Sequence, residues 1–244
     1  MTVRPLIAVA AIALLPALPA TAAETVRLYA AGSLKTAMTE IARAFEATAP
    51  DTKVETVFGA SGLLRERIEA GEPAHVFASA DTGHPGKLAA AGRTQAPTQV
   101  FTRNALCAIA GDGVAVETTN LVDVLLAPAT RVGISTPKAD PAGDYALKFF
   151  AAIDKQRPGS GAALEAKALQ LTGGPNSAKA PEGRHVYGWV MSGKQADVFL
   201  TYCTNALLAR ADTPSLRTVA LPADLAVRAE YGLVVLKDAP KPAT

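Results

Sequence analysis

The stretch VRLYAAGSLKTAMTEIARAF, residues 26–45, sets the structural pattern of this chain. Its first part alternates apolar and polar residues through Val26, Leu28 and Ala30, which predicts a β-strand. Gly32-Ser33 then predicts a tight turn. The apolar residues after the turn recur at helical spacing as far as Phe45. The stretch therefore predicts a strand, a tight turn and a helix in succession.

The same succession recurs twice more along the chain. Residues 53–58 predict a second strand, which is followed by a turn at residues 59–62 and a short helix. Residues 132–135 predict another strand, and a turn at residues 140–143 precedes an apolar helix face that begins at Tyr145. Strands that alternate with helices in this way are typical of α/β proteins.

Several further elements follow from the same patterns. Strands are predicted at residues 76–79, 105–110, 197–202 and 231–236. Helices are predicted to end before Gly92 and to span residues 163–171 and 186–191.

The length of the chain bears on its domain organisation. At 244 residues it is long enough to favour two lobes over a single core. The chain enters a new β-rich stretch between residues 100 and 104, where we predict that it crosses to a second lobe. It is predicted to return to the first lobe near residue 216. We therefore predict a discontinuous lobe 1 from residues 23–101 and 216–244, and a lobe 2 from residues 102–215.

The first 22 residues have the features of a secretory signal peptide. Arg4 precedes an apolar stretch, and Ala20-Thr21-Ala22 is a small-residue cleavage site. A membrane anchor is the alternative, but Pro16 and Pro19 interrupt the stretch, which is shorter than the roughly 20 residues that a bilayer span needs. We predict that residues 1–22 are removed and that the mature protein is exported to the periplasm.

Composition excludes several classes of function. The net charge is only +2, from 24 basic and 22 acidic residues, and no run of Lys or Arg stands out, so nucleic acid is not an expected partner. Three His and two Cys leave little room for a metal site, and no cofactor is expected. The hydrophobic fraction of 49% is that of a folded chain.

Cys107 lies on a predicted strand of lobe 2, and Cys203 follows another predicted strand of lobe 2 that could be its neighbour. An exported protein meets an oxidising compartment, so we predict a disulfide between them. Two buried thiols remain the alternative at this point.

Three turns place small residues at the start of a predicted helix: Gly32-Ser33, residues 60–62 and residues 141–143. Free backbone N–H groups and the helix dipole make such ends suited to anions. Each serine has a plainer alternative role as a helix N-cap. All three turns follow strands, and open α/β sheets bind ligands at the carboxyl ends of their strands, which favours a ligand site.

Five motifs resemble those of periplasmic molybdate-binding proteins, the solute receptors of ABC importers. They occur in the same order along most of the mature chain: YAAGSL at 29–34, FGASG at 58–62, PAHVFASAD at 73–81, DPAGDYA at 140–146 and TYCTNA at 201–206. The resemblance implies an α/β, two-lobed periplasmic-binding-protein fold with a ligand cleft between the lobes. It also implies a monomer that binds molybdate or tungstate and delivers it to the membrane subunits of an ABC importer.

The resemblance also implies a set of ligand-binding residues. Carried over by position, Ser33 and Ser61 would donate hydroxyl and backbone hydrogen bonds, Ala142 its backbone N–H, and Tyr202 its phenolic O–H. These groups would contact the oxyanion oxygens and would not ligate the metal directly. The family has one further backbone donor, and an ungapped count from Tyr202 places Arg184 there, in a stretch that matches poorly. The chain also departs from the family after its last strand, where Pro240 and Pro242 stand in place of a helix, so we expect a truncated or divergent member.

The chemistry of the ligand agrees with this set. Molybdate carries no proton near neutral pH, so a site built only of donors suits it, whereas protonated phosphate also needs an acceptor. Sulfate, another oxyanion or a small organic anion remains an alternative ligand, because the donor set does not size the cavity. A hydrolytic enzyme is the other alternative, but no Ser/His/Asp or Cys/His motif has a recognisable local context, so we do not expect an enzyme.

Overall fold

The structure is a computed structural model that describes residues 24–239. The predicted signal peptide, residues 1–22, and the prolines at 240 and 242 lie outside the described residues. The strands of the described part are β1 Glu24–Ala31, β2 Thr52–Gly59, β3 Val76–Ser79, β4 Gln99–Ala110, β5 Val132–Ser135, β6 Leu169–Thr172, β7 Val198–Tyr202, β8 Arg217–Ala220 and β9 Arg228–Val235. The α-helices are α1 Lys35–Thr48, α2 Ser61–Glu69, α3 Gly83–Ala90, α4 Leu121–Leu126, α5 Pro141–Gln156, α6 Ser160–Lys167, α7 Val186–Ser192 and α8 Cys203–Asp212.

The strands form a sheet with the order β2-β1-β3-β9-β4-β7-β5-β6, and β8 also pairs with β4. β4 belongs to two halves of this sheet, because residues 99–105 pair with β9 and residues 106–110 pair with β7. We call β2, β1, β3 and β9, together with the turns and helices that follow them, the first half. The second half is β7, β5, β6 and β8 with the turns and helices that follow them. β1 is parallel to β2 and β3, and β5 is parallel to β6 and β7.

The strand pairing bears on the predicted lobe boundaries. β4 passes from the first half to the second near residue 105, next to the predicted crossing. β8 pairs with residues 107–110 of β4, in the second half, and the chain rejoins the first half through β9. This pairing favours a return at Arg228 rather than at residue 216, and the lobe boundaries themselves stay a prediction.

One predicted helix is wrong over its second half. α6 ends at Lys167, and residues 169–172 form the strand β6 instead of continuing the helix. This segment, LQLT, alternates apolar and polar residues, and it pairs in parallel with β5 at the edge of the sheet. Long-range pairing therefore outcompetes the local helical pattern. The sequence patterns also gave no prediction for α4 and α8.

The buried core connects the two halves. One hydrophobic cluster contains Ala30 and Ala78 from the first half together with Phe149, Leu200 and Tyr202 from the second. The small residues at the ends of β1 and β3 leave room at the edge of the sheet where the two halves meet. Packing thus holds the halves together and opens a space at the carboxyl ends of the parallel strands.

The predicted disulfide between Cys107 and Cys203 is confirmed, with the Cα atoms 4.8 Å apart. Cys107 lies on β4 opposite Thr201 of β7, and Cys203 follows the end of β7. Strand pairing therefore brings the two sulfur atoms together, and the alternative of two free thiols is wrong.

Candidate functional site

A cavity of about 370 Å³ lies where the carboxyl ends of β1, β2, β6 and β7 meet. The first half of the sheet contributes Ser33 and Ser61 to its wall, and the second half contributes Asp140, Tyr187 and Tyr202. The predicted Arg184 also lines the cavity. The structure thus brings four of the five predicted residues together and leaves Ala142 outside the wall.

Ser61 is the first residue of α2 and is 1% exposed. Its Oγ atom accepts a hydrogen bond from the Ala80 N–H at 3.1 Å. The N-cap of α2 is Ala60, and no side chain caps this helix. The proposed capping role of Ser61 is therefore wrong, and its O–H proton remains able to donate to a ligand.

Ser33 lies in the short 3₁₀ turn between β1 and α1 and does not cap that turn either. Its Oγ atom is 3.0 Å from the phenolic oxygen of Tyr231. That phenolic oxygen accepts a hydrogen bond from the Asn104 side-chain amide at 3.1 Å. If Tyr231 in turn donates its proton to Ser33, the Ser33 O–H is free to donate into the cavity.

Tyr202 closes the cavity at the end of β7 and is 2% exposed. Its O–H donates to the carbonyl of Ala80 at 3.3 Å, across the junction of the two halves. Burial raises the pKa of Tyr202 well above its ordinary value, with further increases from nearby tyrosines and from Asp140. The phenol is therefore a neutral donor at any physiological pH.

Ala142 lies in the first turn of α5 and is fully buried. Its N–H donates to Oδ1 of Asp140 at 3.0 Å, because Asp140 is the N-cap of α5. Asp140 lines the cavity, whereas Ala142 does not. A ligand contact by Ala142 stays a prediction, and it would require this capping bond to be given up.

The Asp140 carboxyl is partly buried, and Gly173 packs against it. Gly173 has a φ of +74°, and a side chain at this position would overlap the carboxyl. Burial raises the pKa of Asp140 to about 6, although hydrogen bonds from the Ala142 N–H and the Ser135 hydroxyl lower it. The Ser135 hydroxyl also contacts the hydroxyl oxygens of Thr172 and Tyr187, at 2.9 and 3.1 Å. The carboxyl is therefore part of a connected polar network at the cavity wall.

Arg184 lines the cavity but has other partners. Its guanidinium pairs with the carboxylate of Asp212 at 3.1 Å, and its backbone N–H donates to the Pro181 carbonyl. The guanidinium holds the pKa of Asp212 at about 2, well below its ordinary value. A ligand role for Arg184 stays a prediction, and in this structure the side chain anchors the loop before α7.

Several cavity residues were not predicted from the sequence. They are Lys35, Asp140, Thr172, His185, Tyr187 and Asn205. Asp140 belongs to the DPAG motif, and its place just before Pro141 is typical of a helix N-cap, so a signal was available for it. Asn205 lies within the TYCTNA motif, so a signal was available for it as well. The remaining residues had no distinguishing local pattern, because their shared position depends on pairing between distant strands.

A backbone contact also joins the two sides of the cleft. The N–H of Gly62, in the first turn of α2, donates to the carbonyl of Ala139 at 2.8 Å. A side-chain carbon at Gly62 would lie 2.7 Å from the same carbonyl oxygen. Only glycine permits this approach of the two backbones.

The model of the bacterial extracellular solute-binding protein family matches residues 26–244 of the chain. The chain belongs to this family. An uncharacterized protein of Pasteurella multocida is 38% identical to this receptor over 208 residues, which are 85% of each chain. The molybdate-binding protein ModA of Mycobacterium bovis is 28% identical over 228 residues, which are 93% of this chain and 78% of that one.

Solved structures of binding proteins share the fold of this receptor. The periplasmic molybdate-binding protein of Azotobacter vinelandii superposes with a TM-score of 0.66 at 18% identity, over 88% of this chain and 87% of that one. The sulfate-binding protein SubI of Mycobacterium tuberculosis gives a TM-score of 0.70 at 17% identity, over 88% and 77% of the two chains. The predicted α/β periplasmic-binding-protein fold is confirmed by these likenesses.

Two features are absent from the described residues 24–239. No helix in this range is long and apolar enough to cross a membrane. In the same range, no group of three or more His, Cys, Asp or Glu side chains is arranged to hold a metal ion.

Proposed function

We propose that this solute-binding receptor binds a tetrahedral oxyanion, molybdate or tungstate, and delivers it as a monomer to the membrane subunits of an ABC importer. The observation that supports this proposal is the convergence of three hydroxyl groups, those of Ser33, Ser61 and Tyr202, on one cavity. These residues are far apart in the sequence and come from both halves of the sheet, as a cleft that closes over its ligand requires.

The contacts of these hydroxyls suit an anion that carries no proton. Ser61 already accepts a hydrogen bond from Ala80, and Ser33 has Tyr231 beside it, so both can offer their protons to the ligand. Tyr202 stays neutral, and its O–H, which donates to the Ala80 carbonyl in this structure, would have to give up that bond to donate to the ligand. Hydrogen bonds from neutral donors to a charged acceptor are strong, and exclusion of water from a closed cleft strengthens them further.

The mycobacterial relative supports the same ligand class, since it is named as a molybdate-binding protein and covers most of this chain. The sulfate-binding fold neighbour leaves the choice among oxyanions open. Extracytoplasmic location follows from the family and from the predicted signal peptide, and the ABC importer is the partner that the resemblance implies.

A second class of ligand is favoured by one observation. Protonated phosphate needs a hydrogen-bond acceptor, and Asp140, whose side chain is a carboxyl, lines the cavity. A carboxylate can accept a hydrogen bond from a protonated oxyanion or from a hydroxyl of a small organic anion. Phosphate and simple phosphate esters are therefore the second candidates.

Calorimetric titration of the mature protein tests the proposed function. We expect sodium molybdate and sodium tungstate to bind at one site per chain, at least about tenfold more tightly than sulfate, a difference of about 1.4 kcal/mol. Tighter binding of sulfate or phosphate would show that the ligand assignment is wrong while the receptor assignment holds. Failure of all four anions to bind would contradict the proposal that the cavity is an oxyanion site.

The Gly62→Ala variant tests whether the cleft closes as the structure shows. The added methyl group meets the Ala139 carbonyl and removes a backbone hydrogen bond between the two sides. We expect a roughly tenfold loss of molybdate affinity, in line with the loss of one hydrogen bond worth about 0.5–1.5 kcal/mol together with the steric overlap.

The matched control for Gly62→Ala is Gly86→Ala. Gly86 lies within α3, and a side-chain carbon there has nothing within 4 Å. This variant is expected to bind molybdate normally. Equal affinities in the two variants would show that contact between Gly62 and Ala139 does not contribute to closure.

A further inference from the structure

The wall of the oxyanion cavity contains an acidic side chain. Asp140 comes from the N-terminus of α5, where its Oδ1 atom accepts the Ala142 N–H at 3.0 Å. Gly173, which lines the same cavity, packs directly against the carboxyl and restricts the movement of this side chain. An ionised carboxylate in this place repels an incoming dianion across a water-excluded cleft.

The repulsion disappears if one proton lies between the carboxyl and the ligand. A protonated carboxyl is a hydrogen-bond donor, and an ionised carboxyl accepts a proton that the ligand carries. In both cases the bound complex contains one proton that a donor-only site would not hold.

We propose that Asp140 determines the specificity of this site by sharing one proton with the bound anion, so that an unprotonated dianion binds together with one proton. The inference rests on the proposed oxyanion-binding function. When a dianion such as molybdate or sulfate binds, the proton comes from the solvent and resides on the Asp140 carboxyl. Hydrogen phosphate supplies its own proton, and no further proton is taken up.

The other titratable and charged groups around Asp140 come from several elements. They are Lys35, Asp144, His185, Tyr187, Tyr202 and Tyr231. Burial raises the pKa of Tyr187 to about 12 and raises that of Tyr231 further, so the tyrosines remain neutral. Arg184 is engaged by Asp212.

Asp140 and His185 both have shifted pKa values and both line the cavity. Burial raises the pKa of Asp140 to about 6, and burial lowers the pKa of His185 below its ordinary value. His185 lines the same cavity, and its Nδ1 atom is buried with no partner among the described residues. A test of Asp140 must therefore separate the two side chains.

The experiment counts protons. The mature protein is titrated calorimetrically at pH 8 with sodium molybdate and with sodium phosphate, in buffers of different ionisation enthalpy, so that proton uptake follows from the buffer dependence. We expect an uptake near one proton for molybdate and near zero for phosphate. From pH 7 to pH 8 the molybdate affinity should fall about tenfold, as linkage to one proton requires.

Three variants assign the proton. Asp140→Asn keeps a side chain able to cap α5 but cannot ionise, so its molybdate affinity should be independent of pH, and at pH 8 it should exceed that of the parent protein by up to about 100-fold. Asp144→Asn, in the same helix and bonded to the Lys138 N–H, should retain the parent pH profile. His185→Gln should retain it as well.

Several results would overturn the inference. These are a proton uptake near zero for molybdate in the parent protein, an uptake that persists in Asp140→Asn, or an uptake that disappears in His185→Gln. If Asp140→Asn fails to fold, the proton count of the parent protein and that of His185→Gln together still decide the matter, because an uptake near one proton in both is required. Absence of binding by every anion would reject the proposed function itself, whereas tight molybdate binding without proton uptake rejects only the role of Asp140.

Discussion

Removal of the Cys107–Cys203 disulfide is expected to lower the free energy of unfolding by about 4 kcal/mol, because the bond closes a loop between residues 96 apart in sequence. The double variant Cys107→Ser/Cys203→Ser and the oxidised parent protein can be compared by urea unfolding monitored by circular dichroism. The midpoint of the variant should fall at clearly lower urea, and its slope should be larger, because the unfolded chain without the crosslink is less compact.

The consequence of this change should extend to the ligand site. Cys203 directly follows Tyr202, and Cys107 lies on the strand that pairs with β7. Loss of the bond loosens the segment that carries the Tyr202 phenol, so molybdate affinity should also decrease. Reductant serves as the internal control, since it should destabilise the parent protein and leave the double variant unchanged. Equal stability of the oxidised and reduced parent protein would contradict the prediction.

The double variant Ser33→Ala/Ser61→Ala is expected to lose most of its oxyanion affinity. Each hydroxyl is a donor to a charged acceptor, and such a hydrogen bond is worth about 1.5–3 kcal/mol. Loss of both corresponds to a decrease in molybdate affinity of roughly 10²- to 10⁴-fold if the effects add. Each single variant should lose roughly the square root of that factor, and calorimetric titration measures all three.

Stability must be followed alongside affinity for these variants. Ser61→Ala removes the acceptor of the Ala80 N–H, which costs about 1–3 kcal/mol of stability when the group is left buried without a partner. A thermal unfolding curve shows whether the variant is folded at the titration temperature. Ser160→Ala is a matched control, because Ser160 begins α6 and does not line the cavity. Unchanged affinity in the double variant would show that these hydroxyls do not contact the ligand.

Much of the fold was available from local patterns. The alternation in residues 26–31 and the helical spacing after Gly32 both appear in the structure as β1 and α1. Such segments are predictable because the apolar period that favours a strand or helix locally is the same period that buries one face in the folded protein. The disulfide was predictable for a related reason, since both cysteines lie on or beside strands of the same half.

Segments whose structure depends on a distant partner were not predictable in this way. The helix predicted over residues 163–171 ends at Lys167, because residues 169–172 pair with the edge of β5 instead of adding another helical turn. The point at which the chain returns to the first half was also not predictable from a local pattern. The composition of β8 would allow it to pair with either half, and in the structure it pairs with residues 107–110 of β4. Strand partners are chosen by long-range packing, which a local window does not contain.

The candidate site likewise contains residues that local patterns predicted and residues that only long-range packing brought together. The sequence by itself determined the strand, turn and helix units, which place Ser33 and Ser61 after strand ends that any such fold brings to one edge. Tyr202 was predicted through a motif that resembles those of molybdate-binding proteins, and its contact with the ligand stays a prediction.

The sequence around residue 140 also indicates that Asp140 is a helix N-cap. Only the tertiary structure decided that Asp140 lines the cavity with Gly173 packed against its carboxyl. Gly173 directly follows β6, and the pairing of β5 with β6 brings the two segments together, so a sequence pattern around residue 140 carries no information about that contact.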